Sequence, residues 1–167
     1  MIFGHRGPGW FPTSLPLFNI LYALLYTTVL KGKSRSTKWR YSLLILYAFL
    51  LLDVTQAPFA FNQESFHHIK EYHTFRYNVV PFHGAHLLQF KLNILLFIPL
   101  GIIVTSIRQH YRWFNTLLLG LAVSCGIEIL QLVTSLLSLN VRSFDVDDLI
   151  TNTFGALIGY IIYRVTQ

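Results

Sequence analysis

Cysteine is almost absent from this 167-residue chain: Cys125 stands alone, so no intramolecular disulfide can form. Charge is scarce too. Only 12% of residues are Asp, Glu, Lys or Arg, against 53% apolar, and the mean hydropathy is +0.50. That balance excludes an ordinary soluble domain, whose apolar residues form stripes rather than long runs, and fits a small polytopic membrane protein. The sequence also lacks a glycine-rich phosphate loop, a Ser–His or Cys–His nucleophile pattern and an internal repeat.

Long apolar runs are what it has. Five stretches approach the length needed to cross a hydrocarbon core of roughly 30 Å: Ser14–Leu30, Tyr41–Phe61, Leu92–Ile107, Phe114–Leu139 and Asp148–Tyr163. The expected fold is all-α, a membrane helical bundle of about five transmembrane helices in one structural domain. The first run follows MIFGHRGPGWFPTS, which lacks a basic start and a cleavage site, so it reads as an uncleaved helix. Between the second and third runs, Phe66, Ile69, His73 and Arg76 recur at helical spacing, and an interfacial helix is expected there. It should end before Pro81, which stops a helix and pushes Val80 towards extended backbone. Pro99 should kink the third run, leaving a carbonyl that neighbours must satisfy. Gly155 and Gly159 form a small-residue face for close helix packing in the fifth.

The net charge of +6, with an isoelectric point of about 9.6, would suggest nucleic acid in a soluble protein. Here the cations collect at segment ends. Lys31, Lys33, Arg35, Lys38 and Arg40 share the first loop, Arg108 and Arg112 the third, and Arg164 follows the last run. The positive-inside rule makes all three regions cytoplasmic, which alternates correctly over five crossings. The N-terminus is then outside and the C-terminus cytoplasmic, and nucleic acid is not an expected partner. Trp10, Trp39 and Trp113 stand next to segment ends, as interfacial anchors do.

Against this apolar background, Asn140-Val-Arg-Ser-Phe-Asp-Val-Asp-Asp148 leads directly into the last apolar run. Ionisable groups at membrane depth are costly and face a bundle interior or a wet cavity. At 100° per residue, Asp145, Asp148, Asn152, Gly155 and Gly159 share one stripe of a helix, and Asp147 points roughly the opposite way. Ser124, Glu128, Gln131 and Ser135 make a second stripe, and Asn93 lies near the outer end of the third run. The expected site is an outward-opening acidic pocket lined by Asn93, Glu128, Gln131, Arg142, Asp145, Asp148 and Asn152. Each residue has a plainer role as well. The aspartates can complement a helix N-terminus, the reading favoured for Asp147. Arg142 can reach a lipid phosphate, and Asn93, Gln131 and Asn152 can link helices, at roughly 0.6–2 kcal/mol per bond. Glu128 is harder to explain away, because a mid-membrane carboxylate must be protonated, paired or wetted. Asp53 poses the same problem more weakly. His83 and His86 are three apart near the mouth of this pocket, but neither a metal nor a cofactor is expected.

Asn78–Phe82 (NVVPF), Asn93–Gly101 (NILLFIPLG), the Glu128/Gln131 pair and Arg142–Gly159 (RSFDVDDLITNTFGALIG) occur in this order. Together they resemble the VanZ-like family of bacterial membrane proteins. The resemblance implies a multi-pass protein of the bacterial plasma membrane, with residues 62–167 as the family core and residues 1–61 as an N-terminal two-helix part. It also implies a link to resistance to the glycopeptide teicoplanin, whose acyl tail partitions into membranes, and it carries no defined reaction.

Three functions follow. A non-enzymatic envelope protein would bind a lipid headgroup or a cationic amphiphile and limit the access of lipoglycopeptides to their target. An intramembrane enzyme acting on a lipid or lipid-linked cell-wall precursor would use Arg142 as a phosphate clamp, with Glu128 and Asp148 as its candidate acid–base groups. A proton-coupled transporter would use Asp53 and Glu128 as relays, but the apolar LGIIVTSI and GYII stretches argue against a path to both faces.

Overall fold

The computed structural model describes residues 19–20, 22–56, 77–82, 87–137, 139 and 143–167. Arg142, His83, His86 and the expected interfacial helix (Phe66, Ile69, His73, Arg76) lie outside them. Residues 22–25 are helical and end in a π-helical turn, Tyr26–Leu30, before Gly32 turns the chain at φ 85°. Four helices follow: α1 (Arg35–Gln56), α2 (Leu87–Ile107), α3 (Trp113–Leu136) and α4 (Val146–Val165). Two short strands, β1 (Tyr77–Asn78) and β2 (Phe144–Asp145), pair in parallel, Tyr77 with Phe144 and Asn78 with Asp145.

Helix ends differ from those read in the sequence. α1 and α2 begin earlier, at Arg35 and Leu87, because Lys38, Arg40 and Lys91 are carried on helical turns rather than ending them. α3 stops at Leu136, where Leu137 turns and donates its amide to the carbonyl of Val133. Among the described residues, only α2 and α3 are long and apolar enough to span a membrane by length and composition. Arg40, Asp53 and Gln56 dilute the apolar character of α1, and Asp147, Asp148 and Asn152 that of α4. Just 22% and 33% of the most apolar stretches of α2 and α3 are buried, which leaves much of both helices exposed or half-buried.

The interior is correspondingly polar. Among the described residues, seven buried side chains are apolar and twelve are polar or charged, the inverse of a soluble core. The apolar part joins Leu51 of α1, Phe97, Leu100 and Val104 of α2, Ile127 of α3 and Ala156 of α4. α2 and α4 meet backbone to backbone. A Cβ on Gly101, Gly155 or Gly159 would come within 2.0, 2.3 and 2.1 Å of the carbonyl oxygens of Ala156, Ile94 and Ile98. The Gly155/Gly159 face therefore packs as expected, against α2. Helix α2 continues through Pro99, whose missing N–H deprives the carbonyl of Leu95. The neighbouring Leu96 carbonyl accepts the Tyr47 hydroxyl from α1 at 2.9 Å.

Most of the described cations gather at one end of this bundle, Lys91 of α2 being at the other. Arg40 donates to the Ser106 carbonyl at 2.5 Å, and Arg164 to the carbonyls of Gln109 and Tyr111 at 2.7 and 2.6 Å. The paired strands and the start of α4 occupy the other end.

Candidate functional site

The start of α4 organises the polar end. Asp145 has extended backbone (φ −137°) and accepts the Asp147 amide at 2.9 Å, the usual N-cap arrangement. The same Oδ1 accepts the side-chain amide of Asn78 at 3.0 Å, next to the strand pairing. From α3, Glu128 Oε2 accepts the Asp145 amide at 2.9 Å, although Glu128 lies about two turns before the end of its helix. The cap of α4 thus reaches down into the bundle to meet a carboxylate that is 1% exposed.

Asp147 does more than complement a helix end. It is 3% exposed, and its Oδ1 accepts the Phe82 amide at 2.8 Å. Phe82 has φ 62°, a left-handed conformation that bulky residues rarely adopt. The carboxylate therefore ties down a strained turn whose Tyr77, Val79, Val80 and Phe82 side chains are exposed. The NVVPF motif and the FDVDD motif form one unit, joined by strand pairing, the Asn78–Asp145 bond and the Asp147–Phe82 bond.

Asp148 is held differently. Its Oδ1 accepts Nε2 of Gln89 at 3.0 Å and Nδ2 of Asn93 at 2.6 Å, both from consecutive turns of α2. Asn93 also reaches the Thr151 hydroxyl at 3.4 Å. Asp148 and Asn93 are half-buried and Gln89 is exposed, so this carboxylate sits at the edge of the bundle. Below it, Asn152 donates to the Ser124 hydroxyl at 3.0 Å, while its own Oδ1 is buried with no hydrogen-bond partner among the described residues. Three carboxylates thus grip backbone amides, and the fourth is presented by side-chain amides. The first three hold the start of α4 and the turn before α2, and Asp148 ties α4 to α2.

Asn93 meets Asp148, Glu128 meets the Asp145 amide, and Asn152 is linked to the Asp148 carbonyl through Ser124. Gln131 does not join them: it is 4% exposed and donates to the Thr55 carbonyl at the end of α1, at 2.8 Å. Asp53 is half-buried and makes no hydrogen bond to the cluster among the described residues. Asn78, Gln89, Asp147 and Thr151 are the members that helical periodicity did not find. Among the described residues, no three His, Cys, Asp or Glu side chains are placed to share a metal ion.

These contacts unite the separate motif pieces into one cluster, and a family model described as VanZ/LLP1 matches residues 40–167, most of the chain. The chain belongs to the VanZ/LLP1 family. The match takes in α1 from Arg40 onward and all of α2, α3 and α4, so every helix of the polar cluster lies within the VanZ/LLP1 region. No curated protein and no solved structure matches the chain. With two apolar helices, VanZ/LLP1 membership makes this a membrane protein.

Proposed function

We propose that this protein is a multi-pass component of the bacterial plasma membrane that binds an envelope ligand at its polar end and lowers the access of lipoglycopeptides such as teicoplanin. In this reading α1 to α4 and the first segment cross the membrane, and the basic end faces the cytoplasm, as the gathered Arg40, Arg108, Arg112 and Arg164 favour. The rim built by β1, β2 and the start of α4 then faces outward. The observation that carries the reading is the presentation of Asp148: a half-buried carboxylate, oriented by Gln89 and Asn93 at 3.0 and 2.6 Å. It is suited to accept hydrogen bonds from a cationic or hydroxyl-rich headgroup, or from a lipid-linked cell-wall precursor.

Glu128 favours a binding protein over an intramembrane acid–base enzyme. Its carboxylate is 1% exposed and accepts a backbone amide, which suits a group that holds the rim in place better than one that exchanges protons with a substrate. The test is expression in a susceptible Gram-positive host. Susceptibility to an acylated glycopeptide should fall, and susceptibility to one without the acyl tail should stay unchanged. Equal protection against both, or against neither, contradicts the proposal.

A further inference from the structure

At the end of the bundle away from the polar rim, a cleft of about 450 Å³ lies between the first helical segment and α1, lined by Tyr22, Tyr26, Arg35, Lys38, Trp39 and Ser42. Its polar groups are preset. The Tyr22 hydroxyl and Ser42 Oγ are 2.9 Å apart, and the Lys38 ammonium sits 5.2 Å above the Tyr26 ring and 3.5 Å from its hydroxyl. Arg35 is exposed and makes no hydrogen bond to any described residue.

None of the residues that line the cleft is acidic. All seven acidic residues of the chain lie at Asp53 or later, whereas Lys31, Lys33, Arg35, Lys38 and Arg40 all precede it. Among the described acids, Asp53 stands about three to five turns along α1 from the cleft's lining residues, and Glu128, Asp145, Asp147 and Asp148 belong to the opposite end. Two cations three residues apart on one helix, beside the Tyr26 hydroxyl and with no carboxylate in the lining, are a set that a phosphate oxyanion takes.

The cleft also opens onto apolar surface. Trp39, Leu43, Leu46 and Leu50 follow one another along a single outward stripe of α1, with exposures of 66%, 37%, 43% and 38%. A ligand with its phosphate in the cleft could therefore lay a hydrocarbon tail along that stripe. We infer that this cleft binds the phosphodiester of an anionic phospholipid headgroup, with Arg35 and Lys38 on the phosphate and Trp39 at the junction of headgroup and acyl chain. It does not depend on the activity of the polar rim.

The experiment uses the full-length protein in phosphatidylcholine nanodiscs with and without phosphatidylglycerol. Retained lipid is read by native mass spectrometry, and occupancy by Trp39 fluorescence in a Trp10→Phe, Trp113→Phe background. Phosphatidylglycerol should be retained and should shift the Trp39 emission. Arg35→Gln with Lys38→Gln should weaken both about tenfold, whereas Arg108→Gln with Arg112→Gln, an equal loss of charge, should leave them unchanged. Should the first double variant fail to insert, Arg35→Gln alone, at an exposed position, gives the same comparison. Equal loss in both double variants would reduce the effect to general surface charge and overturn the assignment. A full response to inorganic phosphate without phosphatidylglycerol would replace the lipid with a soluble anion, and no response to either would overturn the site altogether.

Discussion

Glu128 Oε2 accepts the backbone amide of Asp145 at 2.9 Å, joining the inner part of α3 to the residue that caps α4. This bond gives the buried carboxylate one role in the polar interior: it accepts a part-buried amide at the point where β2 becomes a helix. Removing it should be felt in stability first. Glu128→Ala leaves the Asp145 amide without its acceptor and is expected to cost about 1–3 kcal/mol. Glu128→Gln, which keeps an oxygen acceptor, should cost less. Reversible unfolding in detergent, followed by helical circular dichroism, measures both.

The contact between α2 and α4 gives a sharper test of packing. Gly159→Ala places a methyl about 2.1 Å from the Ile98 carbonyl oxygen, so the helices must separate. A loss of about 1–3 kcal/mol is expected from such overpacking. Gly126→Ala on the outer face of α3 meets nothing within 4 Å and should be neutral or stabilising by about 0.5–1 kcal/mol. Thermal unfolding of the two variants side by side should rank them in that order.

Asp147 should control the mobility of the NVVPF turn. A spin label at Val80→Cys, in a Cys125→Ser background, reports on that turn directly. Asp147→Ala removes the acceptor of the Phe82 amide and should narrow the spectrum, as a freed turn moves faster. Asp147→Asn keeps an oxygen that can accept this bond and should stay close to the parent. An unchanged spectrum in Asp147→Ala would mean that the strand pairing alone holds the turn.

The proposed topology is open to a labelling experiment. With Cys125→Ser as parent, a cysteine at exposed Val79 should react with a membrane-impermeant maleimide in intact cells. One at exposed Ser34 should react only after the cells are opened. The reverse pattern would invert the bundle.

Much of this architecture was legible in the sequence because long apolar runs and helical periodicity are local signals. α2 and α3 stand out as unbroken apolar segments, and Gly155 and Gly159 announce a close helix contact. The pairing of Asn93 with Asp148 and of Glu128 with the Asp145 amide fits the expectation that costly polar groups share an interior. Periodicity names a face but not the neighbour of that face. Gln131 shares a stripe with Glu128, yet one turn further on its neighbour is the Thr55 carbonyl of α1. The Asp147–Phe82 bond spans 65 residues, and the strand pairing is two residues long. Neither leaves a repeating pattern that could be read beforehand. Helix starts were misread because Lys and Arg side chains can extend from a helix towards an interface, so Arg35 and Leu87 begin helices that hydropathy alone starts later.

The central claim is that Asp148, oriented by Gln89 and Asn93, is the acceptor through which the polar end works. The most direct test compares Asp148→Asn with the parent protein for teicoplanin susceptibility in a host where the parent protects, at matched membrane abundance. Asp148→Asn should return the host to the susceptibility of cells without the protein, while Asp53→Asn should protect like the parent. Full protection by Asp148→Asn at equal abundance would contradict the claim.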